Sequence, residues 1–139
     1  MCSSDLMECA VAELFEDGEL LRHVRRMRRT YAARRDALAG ALHTQLGGAV
    51  AFHLPEGGMG LWATVDGAID LDAWCLAAAR EGVQMFGAGR YDFHGRAQPC
   101  LRLGFSYLDE GELVEAVRRM ARALAALRPA ASRMRRSAA

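Results

Sequence analysis

Apolar positions recur at alternating spacings of four and three along the first third of the chain. They then recur at a spacing of two in short runs, and at four and three again near the end. That succession predicts a helical arm, a small sheet and a closing helix. The first segment, 5–15, puts Leu6, Cys9, Ala10 and Leu14 on one face, with Asp5 and Glu8 at capping-box spacing. Asp17-Gly18 interrupts it. The seam resumes at Leu20 and continues through Val24, Met27, Tyr31, Leu38 and Leu42 to Leu46, a helix of roughly 40 Å. Arg22, Arg25, Arg26 and Arg29 lie opposite the seam, and Gly47-Gly48 ends the helix.

Shorter elements follow. Residues 50–54 and 59–65 read as strands around the turn Pro55-Glu56-Gly57-Gly58. Asp70 caps a helix over 71–81, with Ile69 and Trp74 as a hydrophobic staple and Gly82 as the residue past its end. Residues 83–86 read as a third strand, 87–99 as a glycine-bearing loop and 101–106 as a fourth strand. Asp109 and Glu112 form a capping box, with Leu108 and Leu113 as its staple. Leu113, Val117, Met120, Leu124 and Leu127 line the helix that follows, and Pro129 marks its end. The predicted fold is α/β (α+β): a long helical arm, then β-β-α-β-β-α with helices packed on a small sheet. Its parts are an arm at 1–46, a small domain at 47–128 and a disordered tail at 129–139.

Composition narrows the function. The chain has 139 residues, the size of one domain, and 52% of them are hydrophobic. Eighteen basic and seventeen acidic residues leave a formal charge of +1, which argues against direct DNA binding or a membrane-surface role. All the basic residues are arginine. A Schiff base needs an amine that can lose its proton, and a guanidinium does not. The chain alone therefore has no route to an internal aldimine, and no catalytic residue is assigned. Cys2, Cys9, Cys75 and Cys100, with His23, His43, His53 and His94, show no metal-ligand spacing. No apolar run reaches the roughly 20 residues that span a bilayer. The opening Met1-Cys2-Ser3-Ser4-Asp5 has no secretory character, so the cytoplasm is the expectation.

Arg102 is the candidate binding residue. In Leu101-Arg102-Leu103-Gly104-Phe105-Ser106, alternation puts the apolar side chains on one face and Arg102, Gly104 and Ser106 on the other. A guanidinium with small neighbours has room to grip a carboxylate through two parallel hydrogen bonds. The bland alternative is an arginine on a solvated strand face. The helix-face arginines read as a solvated face, and Arg34, near the seam, as a partner for a carboxylate of a neighbouring domain or subunit. Gly57-Gly58 reads as a hairpin turn, and Gly87-Ala88-Gly89 as a mobile loop bordering a ligand. No G-x-S-x-G elbow supports a serine hydrolase.

Taken together, several stretches resemble the C-terminal part of class I/II, fold-type I aminotransferases dependent on pyridoxal phosphate. The resemblance is strongest to the aminotransferase-like domain of MocR-type regulators of the GntR superfamily. The stretches are 22–29 with Tyr31 and 34–38, then Pro55-Glu56-Gly57-Gly58-Met59 with Leu61-Trp62, then Tyr91-Asp92-Phe93-His94-Gly95 leading to Pro99-Cys100-Leu101-Arg102-Leu103-Gly104-Phe105, and 108–120. The resemblance implies the aminotransferase small domain, joined by its long helix to a large cofactor-binding domain absent from this sequence. It implies that Arg102 binds the α-carboxylate of an amino-acid substrate or effector, that 87–99 helps to close the site, and that the parent is a homodimer holding pyridoxal 5'-phosphate. The cofactor-holding residues would lie upstream, so this chain would hold none by itself. A genuine amino-acid aminotransferase is the alternative parent. A free interaction module or non-functional remnant is the third reading.

Overall fold

The computed structural model describes residues 3–16, 18–94, 96 and 98–137, with side chains at all of these except 3–5 and 128–137. Among the described residues, the predicted periodicities become four α-helices and three strands. Helices α1 (Ser3–Glu16) and α2 (Glu19–Leu46) form the arm. Gly18 separates them in the left-handed region at φ 69°, which a side chain would resist. Strands β1 (Val50–Phe52) and β2 (Gly60–Val65) follow, then α3 (Leu71–Arg80), β3 (Cys100–Gly104) and α4 (Glu110–Ser137). The capping expected at Asp5 involves a side chain outside the described set, as does the break at Asp17.

The three strands form one antiparallel sheet in the order β1-β2-β3. Its alternation is strict. Leu61, Ala63, Val65 and Leu101 point into the core, while Trp62, Thr64 and Arg102 point away. Among the described residues, the α-helices cover only the first of these faces. Trp74, Phe105, Leu42, Leu61, Leu101 and Val117 are its largest fully buried side chains. The Trp74 indole Nε1–H donates to the Met120 carbonyl at 2.9 Å, so α3 is held to α4 and a buried donor is satisfied.

The end signals fold as the residue types dictate. Asp70 Oδ1 accepts from the Ala73 amide at 3.0 Å. At the other end of α3, Gly82 takes φ 79° while the Gly82 and Val83 amides donate to the Ala79 and Ala78 carbonyls. This is the paired closure that a left-handed glycine permits. At α4 the capping box is reciprocal: Asp109 Oδ1 accepts from the Glu112 amide at 2.8 Å and Glu112 Oε2 from the Asp109 amide at 2.9 Å.

Two details differ from the expectation. Residues 83–86 do not form a fourth strand, so the order is β-β-α-β-α after the arm. The Val83 amide is spent on closing α3, and contact with the sheet is a single bridge between Gly87 and Leu101. The apolar character of the segment seats Met85 in the core instead. Second, α4 continues to Ser137, past Pro129, where the sequence pattern ends it. Side chains from 128 onward and residues 138–139 lie outside the described set; of the tail expected to be disordered, 129–137 has a helical backbone within α4.

Helix α2 crosses between two environments. Leu38, Ala39, Ala41, Leu42 and Leu46 are buried. Toward the other end Leu21 and Val24 are exposed, together with Leu6, Met7, Val11, Leu14 and Phe15 of α1. Among the described residues, no helix is long and apolar enough to cross a membrane.

Candidate functional site

The uncovered sheet face carries the candidate site. Strand register places Arg102 of β3 directly opposite Trp62 of β2. The neighbouring cross-strand pairs are Thr64 with Cys100 and Gly60 with Gly104. Leu101 and Ala63, one residue away in each strand, are fully buried, which fixes the phase that sends Arg102 outward.

A third element completes the cluster. The 3₁₀ turn Ala88–Tyr91 follows the Gly87 bridge to β3 and is seated by buried Ala88. It carries Tyr91 over the sheet. The Arg102 guanidinium carbon lies 5.7 Å from the centre of the Tyr91 ring, within cation–π range. The Trp62 and Tyr91 rings meet edge to face at 5.6 Å. Among the described residues, Arg102 makes no hydrogen bond or ion pair to a protein group. Its guanidinium is held beside the Tyr91 ring.

The loop after Tyr91 is tied by charge. Asp92 accepts from the Arg96 amide at 2.9 Å and from its guanidinium at 3.0 and 3.1 Å. Those Arg96 donors, side chain first and then backbone, hold the Asp92 carboxyl below the usual carboxylate range. Phe93, beyond it, is 98% exposed. Gly95 and Ala97 of this loop lie outside the described residues.

The other sequence candidates have different fates. Arg34 is engaged within the chain: its Nη1 donates to the Ser106 carbonyl at 2.7 Å, while its buried Nε has no partner among the described residues. Arg35 donates to the Pro55 carbonyl at 2.9 Å and pairs with Asp36. Arg22 pairs with Glu19 at 2.8 Å. Gly57-Gly58 forms the expected turn, with Gly58 at φ 89°. Sequence reasoning gave Trp62 and Tyr91 no role of their own. A signal existed for Trp62, a large aromatic on the outward phase of a half-buried strand. Tyr91 had none, because only the tertiary path of its loop brings it over β3.

A depression of about 530 Å³ on the same face is lined by Phe52, His53, Pro55, Gly60, Trp62 and Thr64, among others. These residues do not make a pyridoxal phosphate site. The chain has no lysine to carry the aldehyde. Neither glycine turn opens a helix long enough to cradle a phosphate, since only a four-residue 3₁₀ turn follows Gly87. Among the described residues, what this face offers is the outward guanidinium of Arg102.

No family model matches the chain. It is 29% identical over 121 residues to aromatic-amino-acid aminotransferase 1 of Thermococcus litoralis, covering 87% of this chain and 29% of that protein. It is 28% identical over 122 residues to the probable rhizopine catabolism regulatory protein MocR of Rhizobium meliloti, covering 88% of this chain and 25% of that protein. The crystal structure of alpha-aminoadipate aminotransferase from Thermus thermophilus, complexed with N-(5'-phosphopyridoxyl)-L-leucine, superposes with a TM-score of 0.75 at 30% identity. That match covers 84% of this chain and 30% of that one. The fold is thus the mixed helix-and-sheet unit of the aminotransferases. The chain is homologous to the pyridoxal-phosphate-dependent aminotransferases and their MocR-type relative, and spans about three-tenths of the length of the first of these.

Proposed function

We propose that this chain is the carboxylate-binding part of a larger pyridoxal-phosphate-dependent protein, and that Arg102 grips the α-carboxylate of its amino-acid substrate or effector. One observation carries the reading: an outward guanidinium, held beside the Tyr91 ring, that spends none of its donors on the described protein groups. A planar guanidinium matches the two oxygens of a carboxylate, which suits the site to an anion.

The parent in this reading supplies what the chain lacks: a large domain with the cofactor and its lysine, packed on the arm, in a cytoplasmic homodimer. Arm (1–46), small domain (47–128) and tail (129–139) are its divisions here. A MocR-type regulator, in which the amino acid acts as effector, and an amino-acid aminotransferase, in which it is substrate, are supported alike by the identities of 28% and 29%.

The test is Arg102→Ala in the complete protein. Amino-acid affinity should fall about 10- to 150-fold, the equivalent of about 1.5–3 kcal/mol for a charged hydrogen-bonded contact. Cofactor attachment should persist. Unchanged amino-acid affinity would overturn the assignment.

A further inference from the structure

Gly60 has no backbone reason to be glycine. The left-handed glycines among the described residues are Gly18, Gly58 and Gly82, and Gly60 is not one of them. It sits in β2, where glycine weakens a strand relative to alanine. A glycine inside a strand commonly marks a close approach by another group. Here the group is visible. A Cβ built on Gly60 would lie 3.2 Å from Nη2, 3.3 Å from Cζ and 3.4 Å from Nε of Arg102. Three guanidinium atoms at nearly one distance mean that the group crosses Gly60 with its face, not its tip.

The arrangement is specific to this position. Gly104, paired with Gly60 across the strands, would place a Cβ no nearer than 3.9 Å to anything, and that neighbour is the Met59 carbonyl. A side chain at Gly104 would meet only ordinary contact, while the space above Gly60 is filled by the arginine.

From this contact we infer that Gly60 is a positioning residue for Arg102. Its missing side chain lets the guanidinium lie down across β2, beside Tyr91, with its N–H edge free in the plane in which a carboxylate must approach. A bidentate contact depends on that plane, so lifting or turning the group by a few tenths of an ångström degrades recognition without removing the charge. The inference rests on the role proposed above for Arg102 and adds the residue that sets its pose.

The test uses the complete protein with four variants: Gly60→Ala, Gly60→Val, Arg102→Ala and the double variant Gly60→Val/Arg102→Ala. Affinity is measured for an amino acid and for the amine that lacks only its carboxylate. Gly60→Val should weaken the amino acid about tenfold and Gly60→Ala about threefold, with the amine unchanged in both. In the Arg102→Ala background, Gly60→Val should add nothing. An equal loss for amino acid and amine, or the same loss with Arg102 already removed, would show a general disturbance of the strand and overturn the inference. So would amino-acid affinity that neither Gly60 variant changes. Because Gly60→Ala adds a single methyl, it keeps the test readable if valine disturbs folding. If Arg102→Ala itself has no effect, the failure belongs to the Arg102 assignment; if that variant weakens binding and the Gly60 variants do not, it belongs to Gly60 alone.

Discussion

Helix α2 carries one apolar seam, and its two ends meet different surroundings. At the C-terminal end Leu38, Leu42 and Leu46 join the core with Trp74 and Val117. At the N-terminal end Val24 is 42% exposed and Leu21 more so, and α1 adds an apolar strip beside them. The residue pattern is the same along the helix. Periodicity reports which side chains suit burial, and the neighbours decide whether burial occurs. A strip of this kind is uncommon on a chain that works by itself. The proposed large domain would cover it.

That contrast can be tested directly, and its largest expected effect is in the core. Leu42 is fully buried, so Leu42→Ala should cost about 2–5 kcal/mol in chemical denaturation. Val24→Ala should stay within about 0.5 kcal/mol. Comparable losses at the two sites would mean that the outer half of α2 is packed after all.

A smaller effect belongs to the junction between sheet and closing helix. Asp109→Ala removes one half of the reciprocal cap on α4 and should cost about 1 kcal/mol by the same measurement. A neutral result would show that packing of Leu113 and Val117 alone starts the helix.

The smallest effect sits in the exposed loop, where charge replaces packing. Asp92 is held below the usual carboxylate range by Arg96, so its contribution is present above the ordinary carboxylate pKa. It is lost as pH falls through the lowered value. Arg96 keeps its charge throughout. Acid titration followed by NMR should show the Asp92 carboxyl carbon and the Arg96 amide moving together below the ordinary range, with the core helices unaffected. A midpoint at or above the ordinary value would contradict the tie.

How far the sequence is readable follows the same division. Period locates the four α-helices and caps mark the starts of α3 and α4, because these signals act within a few residues: Asp70 and Asp109 bond to amides three positions away. Alternation alone puts Arg102 on the open face. The fourth strand fails because residues 83–86 look extended whether or not an edge is free to pair with them, and their first amide is needed by α3. Tyr91 above Arg102, and the guanidinium across Gly60, depend on residues well separated along the chain. No local pattern encodes those contacts.

The continuity of α2 has a mechanical consequence. At mid-length it is riveted twice to the sheet's connections, by Arg34 on the Ser106 carbonyl and by Arg35 on the Pro55 carbonyl. Outside those rivets, about four turns extend some 20 Å at about 1.5 Å per residue. A rod of that length carries whatever holds its outer end to the Ser106 and Pro55 attachments.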